Sequence, residues 1–154
     1  MSTIIVSFLE WIFEVDKEIT QQTYKNLQFG GSDTCGCTDC ANYVNFRDKV
    51  FPQIVLDFFK ELGVDYTKDV ELLSYDLPGN FSHVGGWFHF KGRILQGPDC
   101  RIPLPSGGST LNLSKVKDNF SIGFTKADDL SFFGNETDLV QIEFEASLLS
   151  ETKS

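Results

Sequence analysis

The chain has 154 residues, of which 41% are hydrophobic and 23% charged, with 15 phenylalanines and a formal charge of −9. That length suits a single domain spanning 1–154, with a core large enough to fold without a metal or a disulfide. The negative charge argues against nucleic acid and anionic membrane surfaces as partners and favours a basic one.

No stretch approaches the roughly 18 uncharged residues of a membrane span. The apolar N-terminal run has no basic flank and is interrupted by Glu10 and Glu14, unlike a secretion signal. We therefore expect a cytoplasmic protein with reduced thiols and no membrane partner.

In chain order, Ile4, Val6 and Phe8 alternate, as do Trp11, Phe13 and Val15, which predicts one bulged strand or two short ones. Asp16 to Leu27 offers a helical face of Ile19, Thr23 and Tyr24. Phe29 to Thr34, rich in glycine and short polar residues, reads as a loop. A helix is expected from Ala41 to about Lys49. A second runs from Pro52, placed for a first turn, through the stripe Val55, Phe58, Phe59 and Leu62 to a C-terminal cap at Gly63.

The texture then becomes β. Val70 to Tyr75 and Gly86 to Leu95 read as strands around a turn at Gly79-Asn80, with Trp87 and His89 on one face and Phe88, Phe90 and Ile94 on the other. Gln96 to Thr110 holds three prolines and three glycines and reads as a long loop. Leu111 to Val116 and Asn119 to Thr125 form a hairpin around Lys117-Asp118. Leu139 to Leu148 alternates Val140, Ile142, Phe144, Ala146 and Leu148 against Gln141, Glu143, Glu145 and Ser147, the pattern of a strand with a wet, acidic outer face. The expected fold is α+β: an antiparallel sheet of about five or six strands with one or two helices packed on one face.

The chemistry concentrates in Cys35-Gly36-Cys37-Thr38-Asp39-Cys40. Cys37 and Cys40 have the C-x-x-C spacing of a zinc clip, and a structural zinc site takes four Cys or His ligands. Cys35 and Cys100 are the candidates to complete it, with His83 and His89 as alternatives. A redox reading of the clip fits less well, because thioredoxin-type motifs follow a strand and this one follows a loop. Reduced, buried thiols are the plain alternative.

Several short runs carry a resemblance. Cys37-Thr38-Asp39-Cys40-Ala41-Asn42-Tyr43, Leu62-Gly63-Val64-Asp65, Gly86-Trp87-Phe88-His89-Phe90, Gly92-Arg93-Ile94 and Val140-Gln141-Ile142-Glu143-Phe144-Glu145 together resemble a family of small bacterial and phage-borne proteins of unknown function that share a C-x-x-C-x-N-aromatic motif. The resemblance implies a single cytosolic domain and assigns no catalytic residue.

Charge supplies the other candidate. From Ala127 to Glu151 there are seven acidic residues and no Lys or Arg. Asp128, Asp129, Phe132, Phe133, Glu143 and Glu145 are expected to form an acidic, aromatic-anchored patch for a basic protein partner, as in immunity- or inhibitor-type proteins. Asp65 and Asp69 as an acid–base pair compete with the ordinary reading of solvated acids at a helix end. No nucleophile elbow, metalloprotease, phosphate-loop or EF-hand pattern occurs. The sequence therefore favours a non-catalytic acidic binding protein, with a metal- or thiol-dependent enzyme or zinc-stabilised domain around Cys37 and Cys40, His89 being a further candidate, as the alternative.

Overall fold

A computed structural model describes residues 3–77, 81–126, 131–134 and 136–149. The opening alternation resolves into two strands, β1 (Ile4–Phe8) and β2 (Trp11–Val15), paired as a hairpin. Helix α1 (Lys17–Lys25) follows, capped by Asp16, whose carboxylate accepts the Ile19 N–H at 3.0 Å. This satisfies one of the first-turn amides that a helix cannot pair internally.

The segment expected to be a loop contains a short helix, α2 (Gly31–Cys35). The next helix, α3 (Thr38–Phe46), begins three residues earlier than expected and continues into a 3₁₀ turn at Arg47–Lys49. Helix α4 (Gln53–Leu62) closes as expected on Gly63 in the left-handed conformation, whereas Pro52 stands one position before the first turn, at the N-cap with an extended ψ of 151°.

Seven strands form one antiparallel sheet. Beyond β1 and β2 these are β3 (Glu71–Leu77), β4 (Phe81–Gln96), β7 (Ser114–Lys117), β8 (Phe120–Lys126) and β9 (Leu139–Leu149), in the order β1-β2-β4-β9-β8-β7 with β3 also on β4. The sixteen-residue β4 is longer than the sequence suggested. Gly85 and Gly86 do not end it, because β3 and β9 pair with both of them, one on each edge.

That length creates a gap. β9 covers one edge of β4, while β3 and β2 share the other and leave His89 between them. Helix α1 fills the space: the Tyr24 hydroxyl donates to the His89 carbonyl at 2.9 Å and accepts the His89 N–H at 3.1 Å. One turn earlier, Thr20 Oγ1 accepts the Lys91 N–H at 3.0 Å. Side chains here replace a missing strand, and the buried backbone groups stay paired. Burial holds the Tyr24 hydroxyl protonated, its pKa pushed far above the ordinary value.

The helices pack on one face, termed the inner face, in a core dominated by aromatic rings. Phe58 stacks on Phe8 with centroids 4.2 Å apart and meets Phe124 edge-on at 5.7 Å. Phe59 meets Phe88 at 5.1 Å, and Phe51 meets Phe144 at 5.1 Å. Tyr43 of α3 lies over Phe144 at 6.5 Å. Offset and edge-on pairs of this kind add to the burial of their area.

The proline- and glycine-rich stretch is also structured: β5 (Arg101–Pro103) and β6 (Ser109–Leu111) form a separate two-stranded hairpin. Trp11 ties down its approach, donating from Nε1 to the Pro98 carbonyl at 2.8 Å. No described helix is long and apolar enough to cross a membrane.

Candidate metal centre and its surroundings

Two long-range anchors place the cysteine run. Asp69 is fully buried and accepts from the Ser32 hydroxyl at 2.6 Å and the Ser32 N–H at 3.2 Å. Asp33 accepts the Gly30 N–H at 3.1 Å and pairs at 2.9 Å with Arg47, which also donates to the Thr67 carbonyl at 3.1 Å. Burial pushes the Asp69 carboxyl above its ordinary value, partly offset by the Ser32 hydrogen bonds. The two acids read as a possible acid–base pair thus have separate structural roles. Asp69 holds Ser32, while Asp65 accepts from Thr67 and pairs with Lys68 at 3.5 Å.

Between the anchored α2 and α3, Gly36 adopts a left-handed conformation with φ +75° and open space around it. A side chain would disfavour that turn; glycine accepts it freely. The reversal brings the sulfurs of Cys35 and Cys37 to 3.2 Å. Cys37 is the N-cap of α3, and its sulfur accepts the Cys40 N–H at 3.3 Å. The three sulfurs all lie within 4.8 Å of one another, Cys35 and Cys37 exposed and Cys40 buried.

Those separations suit a metal. With Zn–S bonds of about 2.3 Å, the corners of a tetrahedral site stand about 3.8 Å apart, so small adjustments place all three sulfurs on one ion. A disulfide needs about 2.05 Å, and none of the four cysteines is in one. Burial, then the neighbouring Cys37 and Cys35, pushes the Cys40 thiol well above its ordinary range, so metal binding there has to displace a tightly held proton. Among the described residues this is the one group of three or more Cys, His, Asp or Glu with metal-holding geometry.

The other expected ligands lie elsewhere. Cys100 is buried at the edge of β8, where its N–H donates to the Phe124 carbonyl at 2.8 Å. Its side chain sits over Gly123: a Cβ on that glycine would come within 2.7 Å of both Cys100 Cβ and Leu113 Cδ2. Gly123 is opposite Glu143 in the β8–β9 register, so Cys100 belongs to the outer face, away from the helix that carries the cluster. Burial, reinforced by the negative charge of Glu143, pushes its thiol up to about 12.

His83 and His89 share one strand, β4. His83 lies 3.7 Å from Glu145, whereas His89 is fully buried and its Nε2 stands 3.1 Å from Gln141 Oε1. Neither histidine joins the cysteine group.

The acidic patch is likewise rearranged. Asp128 and Asp129 lie outside the described residues. Phe133 is buried, with its ring 6.1 Å from Tyr24, and Phe132 is half-buried. Glu143, expected on a wet face, is buried and accepts from Gln141 Nε2 at 2.6 Å, whereas Glu145 is exposed. The burial of Glu143 has a physical origin: Cys100 and Leu113 fold over Gly123, its neighbour on β8. Sequence alternation could not reveal that cover. A buried polar row His89–Gln141–Glu143 replaces the solvated one. Because the Gln141 amide donates to Glu143, its oxygen faces His89, so His89 Nε2 carries the proton.

Fold and site together define an antiparallel α+β domain with a three-cysteine clip at a helix–helix junction. No protein-family model, curated protein or solved structure matches this chain.

Proposed function

We propose that this protein is a domain that holds a thiophilic metal, zinc being the fitting ion, through Cys35, Cys37 and Cys40, with the fourth tetrahedral position left to a further donor such as water. The observation that carries this reading is the convergence of three sulfurs within 4.8 Å at a turn fixed by a buried contact to Ser32 and a partly buried one to Asp33. The metal would lock α2 to α3 and so extend the anchoring of a region whose own secondary structure is short. The core does not depend on it, since the aromatic packing between α4 and the sheet lies apart from the cluster.

Elemental analysis and thiol titration of the purified protein test this directly. One zinc per chain with Cys35, Cys37 and Cys40 protected is expected; no metal and freely titrating Cys35 and Cys37 would refute it. Loss even of an outer-sphere contact costs a metal site about 10–100-fold, so Cys40→Ser should weaken zinc by at least about 100-fold in a competition titration. Cys100→Ser should leave the affinity unchanged.

A further inference from the structure

Two of the three clip sulfurs differ from the third. Cys35 and Cys37 are exposed and 3.2 Å apart, joined through a glycine with open space around it, whereas Cys40 is buried. We propose that Cys35 and Cys37 form a reversible disulfide on exposure to a hydroperoxide, that Cys40 stays reduced, and that the bound metal is released. The release half of this proposal rests on the metal reading above; the disulfide half does not.

The step balances. A hydroperoxide transfers its terminal oxygen to one exposed sulfur, giving a sulfenic acid and leaving as an alcohol, or as water for hydrogen peroxide. The neighbouring thiol then attacks that sulfur, the S–S bond forms, and water departs with the sulfenic oxygen. Two thiols lose two electrons and two protons, and the O–O bond gains both. The sulfurs need close by only about 1.2 Å to reach a disulfide length of about 2.05 Å, and the open left-handed turn at Gly36 lets the backbone follow. One remaining thiolate at Cys40 cannot retain the ion. A bond exposed to solvent and closing so small a ring is readily reduced by external thiols, as in labile rather than structural disulfides.

Metal-free and zinc-loaded protein should each be treated with hydrogen peroxide at a small molar excess, alkylated in denaturant and digested with trypsin. The peptide Asn26–Arg47 holds all three sulfurs, and its fragmentation locates the bond. The expected result is loss of two of the four thiols, a Cys35–Cys37 bond, alkylatable Cys40 and Cys100, stoichiometric zinc release from the loaded sample, and full recovery with dithiothreitol. Cys40→Ser should still form the bond, while Cys35→Ser should stop at a sulfenic acid that dimedone traps. A Cys37–Cys40 bond, sulfinic acids in place of a disulfide, or zinc retained after the bond forms would overturn the proposal. If the bond forms in protein that never takes up zinc, the metal reading fails and the disulfide half stands.

Discussion

The two faces of the sheet treat cysteine in opposite ways. On the inner face, rings from α4 and five strands form the core, and the junction of α2 and α3 presents Cys35 and Cys37 to solvent beside buried Cys40. At the outer face, Cys100 is sealed over Gly123 next to a row of buried polar side chains. The same thiol serves as a prospective ligand in one place and as a small packing group in the other. Neighbours and exposure decide which, not the residue type.

The largest test of this contrast concerns the inner face. Phe58 touches Phe8, Phe13, Phe59 and Phe124, so Phe58→Ala should cost about 3–5 kcal/mol in chemical denaturation. A loss well below that would mean the aromatic stack is not the main source of stability.

Gly123→Ala tests the outer face. The added methyl meets Cys100 and Leu113 at 2.7 Å, and such overpacking costs about 1–3 kcal/mol. Cys100 should become reactive toward thiol reagents under native conditions while Cys35 and Cys37 keep their rates. If Cys100 stays protected, its cover does not depend on that close approach.

The smallest effect is one of pH. Cys100 keeps its proton in the fold up to about 12 against 9.0 for a free thiol. The unfolded chain therefore releases this proton first as the pH rises. The stability linked to this group is complete below about 9 and is lost between there and about 12. Cys100→Ala should flatten the decline of stability over that window. An unchanged slope would assign the alkaline loss to other buried acids such as Cys40, Tyr24 and Tyr43, all held protonated by burial.

Much of this architecture was legible from local pattern. Alternation found β1, β2, β8 and β9, and Pro52 and Gly63 bracketed α4, because period and caps are properties of neighbours in sequence. The Cys37–Cys40 clip was legible from its spacing. The structure brings Cys35 to the clip, whereas Cys100, grouped with it on residue type alone, lies elsewhere. The helix α2 was missed because five residues carry no periodic signal and depend on Asp69 and Arg47, 37 and 14 positions away from their partners.

The amino-acid sequence by itself determined the α+β class, the aromatic inner face and the presence of a cysteine clip, since hydrophobic period and residue spacing are local. Only the tertiary structure decided which sulfurs converge, that Glu143 and Phe133 are interior, and that Tyr24 completes the edge of β4. Each of those depends on what a distant segment covers. Burial is set by the other side of the contact, and that side cannot be read from the strand itself.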